Sequence, residues 1–128
     1  MTAQVTPDVQ TLRREVQQKY TEVAESPGRT FHFHHGQPLA EILGYPMERV
    51  DAMPLEAVDS FAGVGNPFSL GVLQPGETVL DLGSGAGFDC FVAGQAVGPE
   101  GRVIGVDMTE AMLARSRATA RSMGLDQV

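Results

Sequence analysis

The stretch Thr78-Val79-Leu80-Asp81-Leu82-Gly83-Ser84-Gly85-Ala86-Gly87-Phe88 decides the fold class. An apolar run ends in an acid, glycines then alternate with small residues, and apolar residues resume at Phe88. The pattern predicts a buried strand over Thr78–Leu82, a tight turn, and a helix from Phe88 to Val97. Gly83, Gly85 and Gly87 leave no Cβ between the backbone and a ligand, and they admit the positive φ angles that such a turn uses. The turn opens onto the amides of a helix N-terminus, where a nucleotide-like ligand can be held. About twenty residues further on, Arg102-Val103-Ile104-Gly105-Val106-Asp107 predicts a second strand that also ends in a carboxylate. That is where a crossover unit places an acid for ribose hydroxyls.

The glycine spacing separates two classes of adenosyl ligand. A dinucleotide fingerprint, G-x-G-x-x-G/A, requires glycine or alanine at position 88, which is Phe88. The chain has G-x-G-x-G instead, preceded by Asp81. A carboxylate at that strand end suits the ammonium and sulfonium of S-adenosylmethionine (SAM) and repels a pyrophosphate. SAM is therefore the expected cofactor. Asp81 is expected near the methionyl ammonium, directly or through water, with Gly83, Ser84, Gly85 and Gly87 along the cofactor. Asp107 is expected on the ribose and Met108 against the adenine. The alternative for these acids is ordinary turn chemistry, since a strand-end Asp also caps turns.

Val79 to Cys90, Val103 to Thr109 and Met112-Leu113 together resemble the class I SAM-dependent methyltransferases, and more narrowly their arsenite methyltransferase-like branch. Gly63-Val64-Gly65-Asn66-Pro67 and Pro75-Gly76-Glu77 fit the same branch. The resemblance covers roughly residues 60–128 and implies a Rossmann-like α/β fold, a parallel sheet flanked by helices, with a helical cap at its N-terminal end. It implies a small-molecule methyl acceptor: arsenite, or alternatively a small organic molecule. A third reading is a SAM-binding module without catalysis. The resemblance also implies that Cys90 belongs to a set of thiols that handle trivalent arsenic, which makes it the candidate catalytic residue. A helix N-terminus can lower a thiol pKa toward reactivity. Against this, Cys90 is the one cysteine of the chain, and Val64 stands where many members of the branch have another. Arsenic(III) takes about three soft thiolates, and the other reading of Cys90 is a small buried residue packing helix on strand.

Outward from this unit, residues 1–66 are read as a cap segment and 67–128 as the first βαβα part of the cofactor domain. Val9, Leu12, Val16, Tyr20 and Val23 fall on one face of a helix from Pro7 to about Glu25. Two or three short helices follow, around Leu39, Met47 and Leu55, joined by turns at Gly44-Tyr45-Pro46 and Met53-Pro54. A short helix is expected over Phe68–Leu73, and a last helix capped by Thr109, reaching about Met123 and stopped by Gly124. His32, His34 and His35 lie in an extended run without a second ligand cluster at metal spacing, so no metal is expected. A loop near the cofactor mouth, with a histidine touching the substrate, is the reading preferred for them.

The net charge of −7 and pI of about 4.8 carry no electrostatic footprint for nucleic acid or an anionic membrane. With one cysteine and no signal-like N-terminus, a cytoplasmic protein is expected. Two strands make a very small sheet, so the chain reads as the N-terminal part of a longer methyltransferase. Alone, it is expected to lack turnover and to self-associate through an open sheet edge.

Overall fold

A computed structural model describes residues 8–26 and 34–128. Its elements run α1 (Val9–Glu25), α2 (Gly36–Ile42), α3 (Met47–Asp51), α4 (Leu55–Asp59), β1 (Thr78–Leu82), α5 (Phe88–Val97), β2 (Arg102–Val106) and α6 (Glu110–Ser122). β1 and β2 pair in parallel, with Leu80 beside Ile104 and Leu82 beside Val106. This is the strand, glycine turn, helix, strand crossover expected from the sequence. The result is a partial Rossmann-like α/β fold.

The helix α5 organises the layers. Apart from Asp89 and Gln95 it is apolar, as suits a helix packed between two layers. Phe88, Cys90, Phe91, Val92, Ala93 and Val97 are all buried. One side packs Cys90, Ala93 and Val97 onto Val103 and Val79 of the sheet. The other side sets Phe88, Phe91 and Val92 against Leu39, Val50, Met53, Val58 and Phe61 from the N-terminal helices. A single hydrophobic core thus crosses position 66, where the sequence had suggested a boundary between cap and cofactor segments.

Helix ends are set by local chemistry. Asp8 caps α1 by accepting from the Thr11 amide and hydroxyl at 2.9 and 2.8 Å. α2 and α6 end in paired closing bonds: Tyr45 N to Ala40 O with Gly44 N to Glu41 O, and Leu125 N to Ala120 O with Gly124 N to Arg121 O. Both are Schellman closures with glycine at the left-handed position. The helix expected over Phe68–Leu73 is instead a short 3-10 turn at Pro67–Leu70. Asn66 starts it by accepting from Phe68 N at 3.0 Å, and Gly71 ends it in extended backbone. Thr109 does stand at the N-cap of α6, but its side chain makes no capping bond.

The stripe expected on α1 is only partly used. Val23 and Ala24 are buried against Met112, while Val9, Leu12 and Tyr20 are exposed. At 17 residues against 13, α1 outruns α6, the helix it docks on. The dock is tied by Gln17 Nε2 to Met108 O at 3.0 Å and by Arg115, which donates to the carbonyls of Ala24 and Glu56.

Candidate functional site

The ends of β1 and β2 open onto a cleft of about 660 Å³, within the usual range for small-molecule sites. It is lined by the glycine loop Gly83–Ala86, by Leu82 and Val106, and by Asp107, Met108 and Thr109. Phe61, Ala62, Gly63 and Val64 also line it, as does Tyr20 of α1. Phe61 stacks on Phe88 at 4.0 Å between ring centroids, and Tyr45 meets both rings edge-on.

The loop is pinned from within. Gly83 N and Ser84 N both donate to Val106 O, at 2.7 and 3.0 Å, and Gly87 N donates to Ser84 O at 3.0 Å. Gly85 N donates to Asp107 Oδ2 at 2.9 Å, while Asp107 Oδ1 accepts from Thr109 N at 2.8 Å. Four loop amides are therefore committed inside the chain, and the loop is not an open nest for phosphate oxygens. Asp107 is a turn clamp that also lines the cleft. Each of its oxygens retains a second lone pair for a hydroxyl donor.

The three glycines do different work. A Cβ built on Gly85, at φ +56°, meets no atom within 4 Å, and Gly85 lines the cleft. Gly83 is likewise open. Gly87 is buried away from the cleft: a Cβ there falls 2.4 Å from Ser116 Oγ and 2.6 Å from Phe91 Cζ. It permits close approach of α6 to α5, and the cofactor contact expected for it has no support in this geometry.

The acids also divide differently from the expectation. Asp81 does not line the cleft; it accepts from Cys90 Sγ at 3.4 Å. The acid on the cleft wall is Asp89, one residue into the first turn of α5 and bonded at 2.6 Å to the Tyr45 hydroxyl. The sequence reading gave Asp89 and Tyr45 no role. The available signal was an acid in the first turn of a helix leaving a glycine loop, but its direction depends on how α5 is rotated.

Cys90 is 1% exposed and faces the sheet, outside the cleft. Burial pushes its thiol well up from the ordinary value, and the Asp81 charge and hydrogen bond add to the shift. The activation expected from the helix N-terminus is reversed here, because desolvation and a neighbouring carboxylate outweigh the dipole. His34 and His35 do not line the cleft; His35 Nδ1 lies 3.2 Å from Asp59 O at the start of α2. His32 lies outside the described residues. Among the described residues no group of three or more His, Cys, Asp or Glu side chains is placed to hold a metal ion. No helix there is long and apolar enough to cross a membrane.

Residues 73–128 match a family model described as a methyltransferase domain. Over 78 residues, 61% of this chain, the sequence is 55% identical to an arsenite methyltransferase from Halobacterium salinarum. Over this segment the chain is similar to SAM-dependent methyltransferases. A second arsenite methyltransferase, from Aquipseudomonas alcaligenes, is 56% identical over 46 residues, 36% of this chain and 13% of its own length. The arsenic (III) S-adenosylmethionine methyltransferase of Chlamydomonas reinhardtii shares the fold, with a TM-score of 0.53 and 40% identity. That match covers 58% of this chain and 24% of the algal one. The chain spans 20% of the length of the Halobacterium relative. The segment matched by the family model contains the glycine loop and both strand ends.

Proposed function

We propose that the cleft binds SAM and that the chain is the cofactor-holding portion of a methyltransferase similar to the arsenite enzymes. The observation that carries this reading is the state of the loop. Its amides are spent on Val106, Ser84 and Asp107, and two carboxylates, Asp89 and Asp107, face the space above it. Such a site disfavours a pyrophosphate and favours a ligand with a sugar and a positive charge. The open space at Gly83 and Gly85 fits backbone approach by that ligand. On this reading Asp107 accepts from the ribose hydroxyls, and Met108, Val106 and Leu82 supply apolar surface for the adenine. Ser84 lines the loop beside them.

SAM supplies an already activated methyl group when bound, so the chain's residues act by orientation and by excluding water. The acceptor is a small molecule. Similarity to the arsenite enzymes favours arsenite, with its thiol ligands contributed by residues other than Cys90. One observation favours a small organic acceptor instead: the chain's sole thiol is buried against Asp81 and does not reach the cleft. The acidic balance fits a cytoplasmic enzyme acting on small molecules and not on nucleic acid.

Thermal unfolding in the presence of ligands tests the cofactor. SAM and S-adenosylhomocysteine are expected to raise Tm, because a ligand stabilises the state it binds, while NAD and NADP leave it unchanged. A rise with NAD and none with SAM overturns the reading.

A further inference from the structure

The Tyr45 hydroxyl has one hydrogen and two acceptors. It lies 2.6 Å from Asp89 Oδ1 and 3.0 Å from the Gly65 carbonyl oxygen. Both contacts are satisfied together only when Asp89 carries a proton: Asp89 then donates to Tyr45, and Tyr45 donates to Gly65. When Asp89 ionises, the Tyr45 hydrogen turns to the carboxylate and Gly65 loses its donor. Gly65 directly follows Gly63 and Val64, which line the cleft together with Asp89. The protonation state of one cleft carboxyl is therefore tied to the Gly63–Gly65 segment through the Tyr45 hydroxyl.

We propose that Asp89 is the group that reads the positive charge of the ligand in this cleft, with Tyr45 as its positioning residue. This rests on the SAM reading of the cleft and gives Asp89 the role expected of Asp81, which does not line the cleft and accepts from Cys90. A cationic ligand favours the ionised carboxylate, so binding drives the Asp89 proton into solvent and turns the Tyr45 hydrogen from Gly65 to Asp89. A neutral ligand of the same shape does neither. The surroundings agree. Burial pushes the Asp89 carboxyl up from its ordinary value, the Tyr45 bond opposes that, and the Asp81 charge adds to it. The ionisable groups facing Asp89 are Tyr45 from the turn after α2, Asp81 from β1 and Cys90 from α5 itself; Tyr20 and Asp107 share the cleft. Burial pushes the Tyr45 hydroxyl up, with Asp89 adding to it, so Tyr45 keeps its hydrogen throughout.

Binding calorimetry at about pH 5–7, in two buffers of unlike ionisation heat, counts the protons. For the unmodified chain, SAM binding is expected to release protons, and affinity is expected to fall as pH falls. Adenosine, which lacks both the ammonium and the sulfonium, is expected to bind without release. Asp89→Asn is expected to abolish the release and weaken SAM binding roughly tenfold to a hundredfold, with adenosine affinity unchanged. Tyr45→Phe keeps the ring packing but removes the hydrogen that steadies the carboxylate, so the release is expected to extend to higher pH. Equal release with adenosine and SAM overturns the proposal, as does unchanged SAM affinity with unchanged release in Asp89→Asn. Failure of the unmodified chain to bind SAM at any pH overturns the cofactor reading itself. Should Asp89→Asn not fold, the adenosine and SAM comparison on the unmodified chain decides alone.

Discussion

At the residue scale, three acids that look alike in the sequence have three surroundings. Asp107 holds two amides and faces the cleft, Asp81 holds a thiol outside the cleft, and Asp89 holds a tyrosine in the cleft wall. Asp107→Ala is therefore expected to do two things. It removes acceptors from Gly85 and Thr109, lowering Tm, and on the SAM reading it weakens cofactor binding by about 1.5–3 kcal/mol, the worth of hydrogen bonds to a charged group. Calorimetry beside a thermal melt separates the two effects; unchanged SAM affinity sinks the ribose role and leaves the clamp standing. Cys90 gives a prediction in pH. Its folded pKa lies above the unfolded one, so the folded state holds the thiol proton more tightly. That stabilisation is complete below about pH 8.5 and declines as pH rises past it. Urea midpoints at about pH 7 and 10 are expected to fall more for the unmodified chain than for Cys90→Ala. In native buffer Cys90 is expected to react with iodoacetamide far more slowly than in urea.

At the scale of elements, punctuation was legible and rotation was not. β1, α5, β2 and the stop of α6 at Gly124 follow from glycine and proline placed between apolar runs, and these are local signals. Which side chain of α5 faces sheet, core or cleft depends on how the helix is rolled between two layers. With only Asp89 and Gln95 polar, α5 carries no continuous polar face that would announce it. Hence Cys90 was read toward the ligand and Asp89 was passed over. The same limit applies to the glycines, where Gly85 and Gly87 look equivalent in sequence. Gly87→Ala combines φ +96° with contacts at 2.4 and 2.6 Å to Ser116 and Phe91. It is expected to cost about 2–4 kcal/mol of stability from left-handed strain and overpacking. Gly85→Ala meets no neighbour and is expected to cost only the strain, about 1–2 kcal/mol, while blocking the cleft. Denaturant titration and SAM binding on both variants would show whether stability and binding separate this way. Equal losses would refute the division of labour.

At the scale of the molecule, the sheet is covered on one face only among the described residues. α5 lies over Val79 and Val103, while Leu80, Leu82, Ile104 and Val106 are exposed on the other, Leu80 at 59% and Leu82 at 75%. Parallel sheets are ordinarily covered on both faces, and four adjoining aliphatic side chains favour association over solvation. The outer edge of β2 is partly met already, since Val103 N donates to Gln127 O at 2.8 Å and Gln127 Nε2 to Gly94 O at 3.0 Å. The edge of β1 has no partner strand among the described residues. The 128-residue chain is therefore expected to self-associate, and without turnover. Sedimentation velocity on Leu80→Lys and Leu82→Lys tests the route. Both side chains are exposed, so the substitutions are expected to shift the population toward monomer with little change in fold. An unmodified chain that sediments as monomer and methylates an acceptor would refute both expectations.

The placement of the aromatic residues has an optical consequence. The chain contains no tryptophan and two tyrosines, so its near-ultraviolet emission comes from Tyr20 and Tyr45. Tyr45 sits in the packed interior with Asp89 2.6 Å from its hydroxyl, while Tyr20 of α1 is partly exposed and lines the cleft. The emission of the folded chain thus has one source in the core and one on α1. A purine entering the cleft beside Tyr20 changes the second directly, and docking of α1 can be followed without attaching a dye.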